Sequence, residues 1–211
     1  MIFGIAAVSL TVSLPRLLKN SSNLMLILSG VLIGGFMNSI IGFLKYIADP
    51  EEELADIVYW TMGSLSSVRW ETVMPLLPFT IVSSVLLVML SWRLNLLMLG
   101  EKEARSLGVN VKAMRALVIV LSTLLTATVT CIAGTIGWVG LIIPHLARLI
   151  IGEDYRFLLP LSITSGALFM LVVDTLARTL TASEIPLSIF TGIVAVPAFV
   201  AVFAFRKAKV Q

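Results

Sequence analysis

The sequence is poor in charged residues. Only 13% of its 211 residues are Asp, Glu, Lys or Arg, whereas 58% are hydrophobic. A water-soluble domain carries about 25% charged residues, so this composition excludes an ordinary soluble domain and indicates a lipid bilayer as its surroundings. The net charge of +3 does not point to nucleic acid as a partner, because the basic residues stand beside apolar runs.

Residue types that bind metals or form disulfides are also scarce. Cys131 is the single cysteine and His145 the single histidine. A lone thiol excludes an internal disulfide and disfavours a metal cluster. A histidine without a second imidazole or a nearby carboxylate is a poor zinc site, and is more often a hydrogen-bonded buried residue. We therefore predict no metal site and no cofactor. Met1 leads directly into apolar sequence, without the basic region of a cleavable signal peptide.

Long uncharged runs predict the membrane spans, since a helix needs about 20 apolar residues to cross a bilayer. Full spans are expected at residues 20–44, 72–92, 116–133, 157–173 and 185–205, and a partial one at residues 1–14, ending at Pro15. An acidic loop with Asp49, Glu52 and Asp56 follows the first full span. The predicted fold class is an all-α polytopic transmembrane bundle, with residues 1–211 forming a single domain.

The central apolar run is too long for one span. Residues 116–144 contain no charge, a run of 29 residues. As a straight helix this run would measure about 43 Å, against a hydrocarbon core of about 30 Å. Glycines near its end predict a break and a short returning helix over residues 140–151. The structural residues assigned to this broken element are Gly134, Gly137, Gly140, Pro144, His145 and Arg148.

The distribution of basic residues supports a double crossing at this break. If the run goes out and back, one side of the membrane receives 12 basic residues and the other receives only Lys45, Arg69 and Arg178. A single crossing would divide them 8 to 7. Basic residues concentrate in cytoplasmic loops. The carboxyl terminus is therefore expected in the cytoplasm, and the acidic loop outside.

The most informative polar segment is the cytoplasmic loop at residues 96–112. Residues 99–108 predict a short helix with Leu99, Ala104 and Leu107 as its apolar residues, started by Gly100 and ended by Gly108 in a left-handed conformation. A helix of two turns is unstable alone in water, so it must pack against something. Spacing alone leaves open a plain intracellular turn or a docking element for a cytoplasmic partner.

Small and hydroxyl residues within the spans have two possible roles. The candidates for lining a conduit are Ser29, Gly30, Gly34, Asn38, Ser122 and Thr126. Gly30 and Gly34 form a G-x-x-x-G pattern, which equally suits ordinary close packing of helices. The hydroxyl groups near Ser122 could instead hydrogen-bond to carbonyls of their own helix.

Several motifs in order resemble the permease subunits of ABC importers for iron-siderophores, haem and cobalamin. They are LGEKEARSLGV, GTIGWVGLIIPHLARLIIGEDYRFLLP, and DTLART followed by SEIPLSIFTGIVAVPAF, with LILSGVLIGG and VYWTMGSLSSVRW upstream. The resemblance extends over nearly the whole chain but covers only about the last two-thirds of such a subunit. The chain is thus similar to an N-terminally truncated member of that family.

The resemblance implies partners as well as a fold. A family subunit has ten spans and works as a homodimer with the conduit at its interface, together with cytoplasmic ATPase subunits and an extracytoplasmic substrate-binding protein. On this basis the residues that couple to the ATPase are Gly100, Glu101, Glu103, Ala104, Leu107 and Gly108. Arg178 would dock the binding protein, although an ion pair with Asp174 or an interfacial position is the alternative. Glu184 and Pro186 match a structural turn that opens the last span.

The resemblance implies a permease in a bacterial or archaeal cytoplasmic membrane that carries an iron-siderophore, haem or cobalamin-type chelate inward. It would not be an enzyme, since the ATPase partner hydrolyses ATP. Alternatives are an ion-coupled secondary transporter, for which Asp174 is the one candidate carboxylate, and a membrane fragment that does not transport. An intramembrane hydrolase would need a nucleophile beside His145, and no such signature is present.

Overall fold

The computed structural model describes residues 2–18, 22–66, 68–180, 185–194, 197 and 200. These residues form helices and connecting turns, and no strand occurs among them. The helices are α1 (Ile2–Leu17), α2 (Asn23–Ile47), α3 (Glu53–Met62), α4 (Trp70–Val73), α5 (Leu77–Met89), α6 (Ser91–Met98), α7 (Glu101–Ser106), α8 (Val111–Ala133), α9 (Val139–Ile151) and α10 (Tyr155–Thr179). Residues 187–194 are also helical. The predicted all-α class is confirmed.

Three helices are long and apolar enough to cross a membrane: Leu24–Ile47, Val111–Ala133 and Tyr155–Thr179. A fourth span is possible if α5 and α6 are taken together, although their axes are bent by 52°. The predicted span at residues 72–92 thus corresponds to this bent pair, with shifted bounds: α5 begins at Leu77, and α6 continues to Met98. The bend falls at Leu90, where neither proline nor glycine marks it, and Pro75 lies in the turn between α4 and α5.

Two other predicted boundaries are also corrected. Helix α1 does not end at Pro15 but continues to Leu17, with Pro15 inside it and buried. Proline at this position removes one backbone hydrogen bond and its ring crowds the carbonyl four residues earlier, yet the helix continues for two more residues. The acidic loop is partly helical, because α3 begins at Glu53 and places Glu53 and Asp56 in its first turn. Carboxylates are favourable there, beside the positive end of the helix dipole.

The break in the central run is where the sequence predicted it. Helix α8 ends at Ala133, and Gly134 follows with φ of 69°. Helix α9 then returns from Val139, preceded by Trp138 with φ of 69°. Its 13 residues give a length of about 20 Å, so α8 and α9 form a hairpin of unequal arms.

Contacts sort the connecting segments to two ends of the bundle. At one end, Asn95 in α6 contacts Asp154 after α9, and α6 leads directly into α7. At the other end, the backbone of Ser64 contacts that of Ala133. Helix α8 therefore runs from the end of the bundle that carries α7 to the opposite end, and α9 runs back toward α7. This arrangement agrees with the double crossing inferred from charge.

The apolar core is small for the length of the chain. Its main cluster contains Val173 and Ala177 from α10 together with Leu187. Helix α2 is the most exposed of the three long apolar helices, since only 6% of its most apolar stretch is buried within the chain. Large apolar side chains such as Val31 and Phe43 are more than 60% exposed. These surfaces suit lipid or other membrane helices.

Candidate functional site

Helix α7 forms a compact projection between two spanning segments, packed against α6 and α8. Its ends are set by glycines with positive φ, 115° at Gly100 and 81° at Gly108. L-residues rarely adopt this conformation, and at Gly100 a Cβ would also press on the Glu103 carboxylate. The predicted short helix and both of its glycine boundaries are confirmed.

One apolar side chain anchors this helix. Ala104 is fully buried, and its backbone N–H donates to the Gly100 carbonyl at 3.0 Å while its carbonyl accepts from Val109 N–H at 3.0 Å. Leu99 and Leu107, by contrast, are 60% and 58% exposed. They leave an apolar edge on the projection. Of the three predicted apolar residues, only Ala104 is buried.

One ion pair ties α7 to the start of α8, and a second lies within α7. The Glu101 carboxylate accepts from Arg115 at 2.7 Å and from Arg105 at 3.3 Å. All three side chains are more than one-third exposed, so each pair contributes little to stability, about 0–1 kcal/mol. Glu103 remains exposed and carries its own charge on the surface. Helix α7 therefore presents acidic, basic and apolar groups together.

The far end of the bundle is organised by the glycine junction, which comprises residues 61–64, 133–135 and 187–188. Gly63 and Gly134 both have positive φ and lie back to back. A Cβ at Gly63 would lie 2.6 Å from the Thr135 carbonyl oxygen, and one at Gly134 would overlap the Trp60 carbonyl oxygen. Only glycine lets these two backbones approach so closely.

Hydrogen bonds complete the glycine junction. Ser64 N–H donates to the Ala133 carbonyl at 2.9 Å, and the Thr135 hydroxyl donates to the Thr61 carbonyl at 2.6 Å. Leu187 N–H donates to the Gly63 carbonyl at 3.0 Å. The Ser188 hydroxyl lies within hydrogen-bond distance of two carbonyls, those of Met62 and Thr135. The broken central run is thus held by a loop and by the start of the last described helix, which the sequence did not indicate.

Arg178 lies at the same end as the glycine junction. Its Nε donates to the Asp174 carboxylate at 2.9 Å, and its Nη2 donates to the Leu65 carbonyl at 3.1 Å. The side chain is 42% exposed. The alternative of an intramolecular pair with Asp174 is therefore present in the structure. The docking role stays a prediction, and Glu184 of the adjoining turn lies outside the described residues. Pro186 directly precedes the last described helix.

The conduit candidates divide into buried and exposed positions. Ser29 is fully buried with its hydroxyl donating to the Met25 carbonyl, whereas Gly34 and Asn38 are exposed. Gly30 faces α1, since a Cβ there would lie 3.9 Å from the Thr11 methyl group. Burial of Ser29 disfavours a role in lining a path. Gly34 and Asn38 remain predictions.

The hydroxyl candidates on α8 hydrogen-bond to their own helix. Ser122 donates to the Val118 carbonyl at 2.8 Å, and Thr126 donates to the Ser122 carbonyl at 2.9 Å. Both residues are exposed within the chain. Their protons are committed to the backbone, which is the alternative role that the sequence left open, and a role in lining a conduit stays a prediction.

The returning helix α9 holds the one histidine in a structural position. Nδ1 of His145 lies 2.7 Å from the Leu141 carbonyl oxygen. Because a carbonyl can only accept, Nδ1 carries the proton. Pro144 lies inside this helix, and Arg148 is in its last turn, where a cation complements the helix dipole. Gly140 lies in the first turn, and both Gly137 and Gly140 have open space around them. Among the described residues no cluster suited to a metal ion occurs.

A polar contact near α7 escaped the sequence analysis. Asn95 Nδ2 donates to the Asp154 carboxylate at 2.6 Å, and Asn95 Oδ1 accepts from Tyr155 N–H at 2.9 Å. Hydrogen bonds from the Arg156 side chain and backbone, then from Asn95, hold the pKa of Asp154 well below its usual value. Arg156 also stacks over Trp92, 5.1 Å from the ring centre. Residues 59 positions apart in sequence offer no local pattern to predict this contact.

The known proteins to which this chain is similar belong to a transport family. The FecCD transport family model matches residues 1–205. The molybdate import system permease protein MolB of Haemophilus influenzae is 46% identical over 200 residues, covering 94% of this chain and 59% of that protein. The hemin transport system permease protein HmuU of Yersinia pestis is 38% identical, covering 82% of this chain and 52% of that protein.

A third relative is the cobalamin import system permease protein BtuC of Halobacterium salinarum, 36% identical over 87% of this chain and 49% of that protein. The chain thus spans about half to three-fifths of the length of these relatives. A solved structure described as a metal-chelate type ABC transporter in an inward-facing conformation superposes with a TM-score of 0.90 and 43% identity, over 96% of this chain and 65% of that one. The resemblance noted in the motifs is confirmed, and the chain belongs to the FecCD transport family.

Proposed function

We propose that this chain forms part of the membrane permease of an ATP-driven importer. The observation that carries the proposal is α7, a projection of both charge signs that joins two membrane helices and is bounded by glycines with positive φ. An ATPase needs a rigid exposed element through which its closure moves the spans. Ala104 at the centre of α7 and the Glu101–Arg115 pair provide this attachment.

Alternating access is proposed to occur at the interface of two copies. Helix α2 supports this, since it is almost uncovered within one chain and carries Gly34 with no atom within 4 Å of a built Cβ. Small residues on an exposed apolar helix permit a neighbouring helix to come close. Exposed Asn38 would then face the conduit from each copy.

The proposed cargo is an iron-siderophore, haem or cobalamin-type chelate. The names of the hemin and cobalamin relatives support this class. The MolB relative adds molybdate, an oxyanion that the motifs did not suggest. The mostly apolar exposed surface of α2 offers few groups to grip a ligand, so selection is assigned to an extracytoplasmic binding protein that docks near Arg178.

An ion-coupled mechanism has weaker support. It requires a carboxylate that can take up and release a cation within the membrane. Asp174 is instead paired with Arg178 at 2.9 Å, toward the end of α10. The Arg178 guanidinium already compensates the negative charge of Asp174, so this carboxylate has less need of a transported cation.

Uptake by reconstituted vesicles tests the proposal. The chain would be co-expressed with an ATPase and a binding protein of a FecCD-family importer, and uptake of ferric siderophore, haem, cobalamin and molybdate would be measured with internal or external ATP. We expect uptake of one cargo that requires ATP on the α7 side and survives dissipation of ion gradients. Uptake driven by an ion gradient without ATP would favour the secondary transporter. Absence of uptake for all four would favour a fragment that does not transport.

A further inference from the structure

A cavity of about 870 Å³ lies beside α7, and its lining includes the Glu101–Arg115 pair of the proposed coupling element. It is bounded by α1, by the start of α2, by α7 and by the first turns of α8. Along α1 it extends from Arg16 to Val8, and along α8 from Lys112 to Val120. Eight residues of helix correspond to about 12 Å in each case. The cavity is therefore a slot that runs along the helices from their polar ends.

The mouth of the slot is strongly basic. Arg16, Arg105, Lys112 and Arg115 line it, and Glu101 is the one acidic residue among its lining. Glu101 pairs with Arg105 and Arg115. Arg16 and Lys112 come from different helices, and both are exposed. Three positive charges remain after the carboxylate is counted, so the mouth favours an anion.

The inner part of the slot is mostly apolar. Val8 and Val12 of α1 line it together with Leu26, Ile119 and Val120. Ser9 and Ser13 also line it, and the Ser13 hydroxyl donates to the Ser9 carbonyl of its own helix. Val120 is 61% exposed although it lies in a helix long enough to span a bilayer. Below its basic mouth the slot thus offers a surface that suits hydrocarbon.

We propose that this slot binds an anionic phospholipid such as phosphatidylglycerol, with its phosphate at Arg16 and Lys112 and an acyl chain against Val12 and Val120. Basic pockets between membrane helices are suited to anionic head groups. A soluble anion would satisfy only the mouth, whereas a lipid satisfies both parts and already lies at that depth. The proposal requires that this end of the bundle lies at a membrane surface, and does not depend on ATP-driven transport.

Lipid retention by the purified chain, residues 1–211, tests the charged part. The chain would be incubated with vesicles of equal phosphatidylglycerol and phosphatidylcholine, extracted mildly, and its retained lipids counted by native mass spectrometry. We expect the unmodified chain to retain phosphatidylglycerol selectively. The double variant Arg16→Gln/Lys112→Gln should lose roughly 30-fold of this preference, since each basic residue near an anionic surface contributes about fivefold. Both substitutions leave the Glu101 ion pairs in place.

The matched control is Arg93→Gln/Lys102→Gln, which removes the same charge from exposed positions outside the slot. It should retain phosphatidylglycerol as the unmodified chain does. Equal losses in the two double variants would mean general attraction to charge and would overturn the proposal. Equal retention of both lipids by the unmodified chain would overturn it as well.

Filling the apolar part provides an independent test. Val120→Trp should reduce lipid retention without changing any charge, whereas Val129→Trp on the same helix, also exposed but outside the slot, should not. Unchanged retention in Val120→Trp would contradict the proposal. A photoreactive benzoylphenylalanine at position 120 identifies the occupant in cell membranes: a phospholipid adduct supports the proposal, and a cross-link to a polypeptide overturns it.

Discussion

At the residue scale, Gly134 is the position with least freedom to change. Its φ is 69°, and a Cβ would overlap the Trp60 carbonyl oxygen. We expect Gly134→Ala to destabilise the chain by about 1–3 kcal/mol from the backbone conformation alone, with the steric overlap adding to this. Thermal unfolding in detergent, followed by tryptophan fluorescence, measures the loss.

The control for this substitution lies three residues away. Gly137 does not have a positive φ, and no atom lies within 4 Å of a Cβ built there. Gly137→Ala should therefore leave the unfolding temperature nearly unchanged. If the two variants unfold alike, the glycine junction does not depend on close backbone approach.

Arg178 tests the proposed docking face. Its exposed pair with Asp174 contributes at most about 0.5 kcal/mol, so the arginine can exchange this partner for a carboxylate of a binding protein. Arg178→Glu should weaken binding-protein affinity and Arg178→Lys should retain part of it, because a planar guanidinium holds a carboxylate through two hydrogen bonds. Affinity would be measured at low and high salt, since rim charge pairs are screened.

The comparison variant is Arg69→Glu, an exposed arginine on the same predicted face. It should affect affinity less than Arg178→Glu. Equal effects would indicate general charge repulsion, and unchanged affinity in Arg178→Glu would leave this residue with a structural role only. Unfolding temperatures of all variants separate docking from loss of the Leu65 contact.

At the scale of an element, α7 must stay folded to transmit movement. Ala104→Pro removes the hydrogen bond to Gly100 and costs roughly 3 kcal/mol in a helix interior. With the partner subunits supplied, we expect this variant to insert and to bind the outer partner but to fail in stimulating ATP hydrolysis. Lys102→Ala, on an exposed position of the same helix, should stimulate normally. Transport by Ala104→Pro at the unmodified rate would reduce α7 to a connector.

At the scale of the whole molecule, the unequal hairpin of α8 and α9 sets the topology. Cysteines at Lys102 and Glu153, both exposed, should react with a membrane-impermeant maleimide only from the cytoplasmic side. A cysteine at Glu52 should react only from outside. These experiments need Cys131→Ser as background, since Cys131 is exposed within the chain. Outside labelling at position 153 would refute the double crossing.

Sequence alone determined much of this architecture, because lipid imposes simple rules. Uncharged runs of sufficient length must be helices, since backbone groups in hydrocarbon need partners within the segment. The break after Ala133 followed from a run longer than the bilayer and from Gly134. The short helix α7 followed from Gly100 and Gly108, whose conformational freedom is local. Family membership followed from motifs in order.

Only the tertiary structure decided which distant segments meet. The bend between α5 and α6 carries no glycine or proline, so no local signal marks it. The approach of Gly63 to Gly134, and the contact of Asn95 with Asp154, each join residues many positions apart. The basic residues that line the slot come from α1, α7 and α8, so they lie in separate segments of the sequence. Local chemistry acts over one or two turns, whereas such sites depend on packing that folds remote helix ends together.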